Sequence, residues 1–226
     1  MTTTMIAPTP SAHAPAPKKP LLRGWLHMGM TPLVLALGIV LAALAPTTPG
    51  RVGALVWMAG SVILFGTSAA YHRGRWRPRV ERVFRHFDHA NIFIFIAATY
   101  TPLALVLLTG TSRVALLVLI WAVALAGVAV AVAWTPAPRW VTVTLYLLMG
   151  WAGLGWMASF WMAGGPAVVI LILVGGAFYS VGAVIYARKR PDPSPRVFGF
   201  HEIFHACTIA AAACHATAIG LVVLRA

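Results

Sequence analysis

The amino-acid sequence predicts an all-α membrane protein built as a bundle of seven transmembrane helices. Of its 226 residues, 60% are hydrophobic and 9% are charged, and the mean hydropathy is +0.85. Soluble domains carry roughly a quarter charged residues. The apolar residues also form long runs, separated by short segments rich in Pro and Gly. These observations exclude an ordinary soluble domain.

A window of about twenty residues, the length of helix that crosses a bilayer, places the individual spans. They cover residues 27–44, 52–72, 87–108, 114–134, 140–162, 167–187 and 201–224. The connections are short and contain helix breakers, so no separate soluble domain fits between them. Residues 1–22, rich in Thr, Ala and Pro, are predicted to be a disordered cytoplasmic tail. Residues 23–226 form the transmembrane domain.

The basic residues predict the orientation of the bundle. Fourteen of the 17 Lys and Arg residues lie at alternate ends of the spans, and the opposite ends have only Arg51, Arg113 and Arg225. The positive-inside rule then places the N-terminus in the cytoplasm and the C-terminus outside. We therefore expect a multi-pass protein of the inner (plasma) membrane. The net charge of +13 reflects this topology, so membrane lipid is the expected partner and nucleic acid is not.

Three histidines at one membrane face form the strongest candidate site. His201 and His205 are four residues apart at the start of the last span, which puts both imidazoles on one helical face. His72 ends the second span at the same face. Zinc prefers such neutral nitrogen ligands, and three of them leave a fourth tetrahedral position for water. The sequence thus predicts Zn²⁺ on His72, His201 and His205, with interhelical hydrogen bonding as the competing interpretation.

Two further polar residues lie at the same depth. Ser68 precedes His72 by four residues and shares its helical face. Asp88 opens the third span, where a carboxylate is costly unless it has a partner. Asp88 is therefore a candidate functional residue, with an ion pair to a loop arginine as the alternative.

The segment from His201 to His205 also matches the metalloprotease pattern His-Glu-x-x-His, in which Glu202 would be the general base. We interpret this match as accidental. The pattern is short, it stands at the entrance of a membrane helix, and the best third ligand comes from another helix far upstream. Glu202 is a secondary candidate.

The remaining histidines are weaker candidates. His27 opens the first span and could approach the site, and His215 lies two to three turns deeper than His205. Both are possible neighbours of the ligands. His86 and His89 are expected to point to other faces of their helix than Asp88. These two and His13, in the tail, are predicted not to be ligands.

Three segments together resemble the hemolysin III family, the bacterial branch of the progestin and adipoQ receptor family. They are Ser-Ala-Ala-Tyr-His at 68–72, Arg-His-Phe-Asp-His-Ala-Asn at 85–91 continuing to Thr-Tyr-Thr-Pro at 99–102, and His-Glu-Ile-Phe-His at 201–205 followed by Cys-His at 214–215. The resemblance implies seven helices and zinc on His72, His201 and His205. It also implies that Asp88 and Ser68 lie beside a zinc-bound water. The family's first motif has an acid and an asparagine before a histidine, whereas here only His27 is retained.

The leading functional hypothesis is a zinc-dependent hydrolase acting on a lipid amide or ester. Zinc lowers the pKa of bound water and polarises a carbonyl, and similarity to membrane ceramidase-like hydrolases supports this by analogy. Asp88 would orient or deprotonate the water. The alternative is a membrane-active, cytolytic or receptor-like protein with structural zinc. The oligomeric state is left open.

Two other seven-helix or histidine-based functions are disfavoured by the residues. A retinal pigment needs a buried lysine, whereas Lys18, Lys19 and Lys189 all lie outside the spans. Haem is disfavoured because His201 and His205 share one helical face and cannot both be axial ligands to one iron. Haem ligation by His72 with either of them is a weaker possibility.

Overall fold

The computed structural model describes residues 19–134 and 138–225. Within these two stretches the regular structure is helical, apart from one isolated bridge between Ser194 and Phe198. The helices are α1 (Trp25–Leu44), α2 (Thr48–Arg73), α3 (Pro78–Leu107), α4 (Gly110–Ala133), α5 (Arg139–Trp151), α6 (Met157–Gly164), α7 (Pro166–Arg188) and α8 (Phe200–Val223). A 3₁₀ turn (Ala152–Trp156) joins α5 to α6.

The prediction of seven apolar spans is confirmed. Counted over the described residues, seven helical stretches are long and apolar enough to cross a membrane, with α5, the 3₁₀ turn and α6 forming one of them. Most span boundaries differ from the predicted ones by a few residues. The exception is α3, which begins at Pro78 and not near residue 87. Its first turns are rich in arginine, and a hydropathy window detects the apolar part of a helix but not its charged extension.

The fifth span is interrupted because its backbone bonds to a side chain of α3. The Tyr100 hydroxyl donates to the Gly150 carbonyl at 2.6 Å and accepts from the Gly153 N–H at 2.9 Å. A broken helix is tolerated at membrane depth only where the freed backbone groups find partners within the protein. Tyr100 provides both partners.

Helix α3 is the centre of the bundle and contacts α2, α4, α5, α6 and α8. Its buried face includes Phe93, Phe95 and Leu103, which belong to the main apolar core. The most extensive helix pairs are α2 with α3, α7 with α8, and α1 with α2. Residues near the start of α3 are therefore placed between α2 and α8.

One end of the bundle is called here the basic end. It contains the C-terminal ends of α2, α4 and α7 and the N-terminal ends of α3, α5 and α8. Residues 19–24 cross this end. The Leu21 N–H donates to the Arg196 carbonyl at 3.0 Å, and the Leu22 N–H donates to the Val197 carbonyl at 3.2 Å. Of the predicted tail, residues 1–18 lie outside the described residues, whereas residues 21 and 22 belong to a turn over 21–24 that leads into α1. The cytoplasmic orientation of the basic end stays a prediction.

Candidate metal centre

The structure brings the three predicted histidines together at the basic end. His72 lies in the last turn of α2, and His201 and His205 occupy the first turns of α8. One ring nitrogen from each lies within 4.8 Å of the others. The Nε2 atoms of His72 and His201 are 3.2 Å apart. Tetrahedral zinc with ligand distances of about 2.0–2.1 Å holds its nitrogens about 3.3 Å apart, so this pair already has the required spacing.

Local structure fixes where each of these helices ends. The α8 N-terminus is capped by Glu202, whose Oε2 accepts from the Gly199 N–H at 2.8 Å. At the α2 C-terminus, the Gly74 N–H donates to the Ala70 carbonyl at 2.9 Å, and the Trp76 indole N–H donates to the same carbonyl at 2.9 Å. Caps that satisfy orphan backbone groups define the register of a helix end. His72 and His201 are therefore held close to the point where the helices leave the bundle.

His72, His201 and His205 are called here the trio. His27 of α1 packs against one of them, His205. Its ring stacks on the His205 ring, with centroids 3.8 Å apart and planes inclined by 3°. An edge contact with Phe65, at 4.9 Å between centroids, holds the other side of His27. Both His27 ring nitrogens are buried and have no hydrogen-bond partner. His27 thus approaches the site as the sequence suggested, as a packing neighbour of His205.

Asp88 and Ser68 also reach the site. The Asp88 Oδ2 lies 3.7 Å from the His72 Nε2, and Ser68 lines the same apolar cavity as Asp88. Ser68 is buried, and the Asp88 side chain is 14% exposed. Across the described residues, Asp88 makes no ion pair with an arginine, so the loop-arginine alternative is not what the structure shows.

Glu202 has a structural role in this arrangement. Its Oε1 accepts from the Arg23 Nε at 2.5 Å, and its Oε2 accepts from the Gly199 N–H. The side chain is 2% exposed. Both carboxylate oxygens are engaged away from the trio, as expected if the metalloprotease pattern is accidental. Glu202 joins the segment before α1 to the start of α8.

The trio lies at the junction of two cavities. A wide polar cavity of about 710 Å³ lies at the basic end and is lined by His72 and His201. An apolar cavity of about 110 Å³ extends into the bundle and is lined by His201 and His205. Five residues line both: Asp88, His89, Thr142, Tyr186 and His201. A bound molecule could therefore place a polar part and an apolar part on either side of the site.

The histidines outside the trio and His27 lie in different parts of the protein. His86 and His89 line the polar cavity together with Asp88, although they occupy different positions around the helix. The cavity is wide enough to meet a whole turn of α3. Neither belongs to the group of ligating atoms. His215 lies elsewhere, with its Nε2 3.1 Å from the Ile172 carbonyl oxygen, and His13 is outside the described residues.

Several site residues could not be recognised from the sequence. Tyr186 lines both cavities, and its ring lies 5.8 Å from the His201 ring between centroids. The Arg139 guanidinium lies 4.7 Å from the centre of the Tyr186 ring. The sequence signal for Arg139 was its position beside a span, which indicates topology and not a site. Tyr186 could not be recognised because an aromatic residue near the end of a membrane helix is common and does not by itself indicate a site.

Fold and site together define an integral membrane protein of seven helical spans with a three-histidine cluster at one end. A family model described as "Haemolysin-III related" matches residues 16–216. The chain belongs to that family, which confirms the resemblance seen in its motifs.

Two curated relatives are similar over part of their length. The chain is 28% identical over 130 residues to the "Hemolysin-3 homolog" of Bacillus subtilis (strain 168), covering 58% of this chain and 61% of the relative. It is 29% identical over 113 residues to "Hemolysin-3" of Bacillus cereus, covering 50% of this chain and 52% of the relative. The matched region thus spans between half and two thirds of these relatives.

Proposed function

We propose that this protein is a zinc-binding membrane hydrolase that cleaves an amide or ester bond of a membrane lipid. The observation that carries the proposal is the convergence of three imidazoles and one carboxylate at the junction of a polar and an apolar cavity. A lipid has the same division into a polar and an apolar part. The reacting bond would lie between them, beside the trio.

The donor set fits zinc. His72, His201 and His205 offer three nitrogen ligands from two helices, and the His72 to His201 spacing of 3.2 Å agrees with tetrahedral coordination. When bound, zinc supplies a Lewis acid that makes water more acidic and polarises a carbonyl oxygen. The polar cavity, lined by His72 and His201, would give water access to the bound metal.

Asp88 is the residue that would handle the proton. Its carboxylate lies 3.7 Å from the Nε2 of the proposed ligand His72, so it would accept a hydrogen bond from a water held beside the three histidines. Ser68 lines the same apolar cavity as Asp88. Asp88 would orient the water and take its proton during attack on the carbonyl carbon, then return it to the departing amine or alcohol.

The apolar cavity would accommodate the acyl part of the lipid. It is lined by Leu64, Ile92 and Phe204 as well as by polar groups near the trio. Pockets of this kind combine an apolar lining with a few polar groups that fix orientation. The acyl carbonyl would then lie at the mouth of this cavity, next to His201 and Asp88.

A second candidate function is supported by the helix contacts. Helices α2 and α8 touch each other much less than α2 touches α3, and the trio bridges these two helices. A metal there would clamp them, as in a membrane-active or receptor-like protein with structural zinc. The relatives named Hemolysin-3 are consistent with that class.

Asp88→Asn separates the two functions. The purified full chain is tested with one fluorescent N-acyl amide lipid and one fluorescent acyl ester lipid, and zinc content is measured on the same sample. We expect the variant to keep its zinc and to lose about 10²- to 10⁴-fold in turnover, the usual contribution of a general base. Glu81→Gln, an acid earlier in α3, is the matched control.

Either of two results would contradict the hydrolase proposal. One is full zinc occupancy in the wild type with no cleavage of either lipid, which favours a structural zinc that joins α2 to α8. The other is cleavage by Asp88→Asn at the rate of the control.

A further inference from the structure

The polar cavity beside the trio is strongly basic. Five cationic side chains line it: Lys19, Arg23, Arg85, Arg139 and Lys189. They come from the segment before α1, from α3, from α5 and from the end of α7. A cavity surrounded by cations from four separate parts of the fold has a positive potential that concentrates anions.

The carboxylates of the protein leave most of this charge unbalanced. The chain has four acidic residues against 17 Lys and Arg. Glu202 pairs with Arg23, and Asp88 faces His72. The other two, Glu81 and Asp192, do not line the cavity.

Four of the lining cations are therefore without a carboxylate partner. Throughout residues 19–134 and 138–225, the structure shows no ion pair for Lys19, Arg85, Arg139 or Lys189. Arg139 instead lies over the Tyr186 ring, 4.7 Å from its centre. Arg139 also donates to the Tyr186 carbonyl at 3.5 Å. The positive charges of these four side chains are therefore not neutralised by a carboxylate in the part of the chain that the structure describes.

A further donor lies in the same cavity. The His86 Nε2 is buried and has no hydrogen-bond partner, and His86 lines the cavity together with Arg85. The same cavity reaches His72, His201 and Asp88, so an anion bound here would lie next to the proposed reaction centre.

We propose that the polar cavity binds an oxyanion of the phosphate class, and that the lipid cleaved at the trio carries such a headgroup. Arginine forms bidentate charge-assisted hydrogen bonds with phosphate, and lysine binds it as a point charge. The second half of this inference rests on the proposed hydrolase function. The first half, anion binding, requires only the cations and the cavity.

Basic residues at a membrane surface have another general explanation, the positive-inside rule. The positive-inside rule depends only on the number of basic residues near the ends of the spans. It does not depend on whether their side chains line a cavity. The sequence offers matched pairs that separate the two explanations. All four side chains are exposed, but Lys189 and Arg85 line the cavity, whereas the nearby Arg188 and Arg82 do not.

The experiment measures ligand binding to the full chain, stripped of metal by a chelator and held in a neutral detergent. The probes are a short-chain phosphatidic acid, the corresponding phosphatidylcholine and inorganic phosphate, titrated by calorimetry. Using metal-free protein prevents direct ligation of phosphate to zinc. The variants are Lys189→Gln and Arg85→Gln, with Arg188→Gln and Arg82→Gln as charge-matched controls.

We expect phosphatidic acid to bind at least about tenfold more tightly than the zwitterionic lipid, the effect of one charge-assisted contact. Each cavity variant should weaken its binding about threefold to tenfold, and each control should leave it unchanged. Inorganic phosphate bound as tightly as phosphatidic acid would support the anion site but overturn its assignment to a lipid headgroup.

Two results would overturn the anion site itself. One is equal weakening by all four variants, which indicates the general potential of the basic end. The other is the absence of any preference for phosphatidic acid. The same samples are then reconstituted with zinc and their zinc content is measured. This separates the two proposals, because loss of anion binding does not require loss of zinc binding, nor the reverse.

Discussion

At the scale of single residues, Glu202 shows how a motif can match a pattern and serve a different purpose. Its spacing to His201 and His205 is that of a metalloprotease base, yet its two oxygens bind Arg23 and the Gly199 N–H. Removing one partner of a buried ion pair leaves an uncompensated charge, which is more costly than replacing both partners. The stability of the basic end should therefore depend on Arg23.

Arg23→Met is expected to lower the free energy of unfolding by about 3 kcal/mol, because it leaves the Glu202 carboxylate buried and unpaired. Denaturant unfolding in detergent at neutral pH measures this. Arg196→Met, an exposed arginine on the loop that the same segment contacts, is the control. A double variant with Arg23→Met and Glu202→Met should recover part of the loss. Equal effects of Arg23→Met and the control would show that the ion pair does not stabilise the fold.

Much of the candidate site could be predicted from residue spacing. Two histidines four apart on one helix share a face, and the depths of His72 and Asp88 in their spans placed them at the same end. That His86 and His89 line the polar cavity could not be predicted, because it depends on where the neighbouring helices leave a cavity. The stacking of His27 on His205 likewise follows from the packing of α1.

At the scale of helices, close approach of α2 and α3 positions the site. An ideal Cβ built on Gly53 of α2 would lie 2.7 Å from the Pro102 Cα of α3. Gly60, two turns further along α2, meets the Ala98 Cβ at 2.5 Å in the same test. Small residues let helix backbones pack closely in membranes. This contact sets the distance between Ser68 and His72 on α2 and Asp88 on α3.

Gly53→Ala is expected to destabilise the protein by about 2 kcal/mol, because the added methyl group meets backbone that cannot move aside. Thermal unfolding in detergent tests this. Gly29→Ala on α1 is the control, since an ideal Cβ there meets nothing within 4 Å. An unchanged unfolding midpoint for Gly53→Ala would mean that the two helices are not packed as tightly as the structure shows.

Hydropathy predicted the number and the order of the spans, since each long apolar run must cross the bilayer. It could not predict the start of α3, where an arginine-rich segment continues the helix beyond the apolar part. Nor could it predict the 3₁₀ turn after α5, because that turn depends on the Tyr100 hydroxyl bonding to Gly150 and Gly153. Such contacts join residues about fifty positions apart.

At the scale of the whole molecule, the uneven distribution of charge predicts orientation. Fourteen of the 17 basic residues lie at one side of the predicted spans, so the N-terminus should be cytoplasmic and the C-terminus outside. Alkaline phosphatase fused to the C-terminus of the full chain should be active, whereas a fusion to the N-terminus should be inactive. The reverse pattern would place the trio and the basic cavity on the outer side.

The account depends most on one claim, that imidazoles from α2 and α8 hold a single zinc ion. The direct measurement is the zinc content of the purified full chain after incubation with excess zinc and gel filtration. We expect about one zinc per chain, as for a site with three imidazole ligands, and almost none in His72→Ala or in a double variant with His201→Ala and His205→Ala. His86→Ala, which alters a nearby histidine outside the trio, should retain the wild-type amount. Retention of wild-type zinc after loss of the trio, or its absence from the wild type, would contradict the claim.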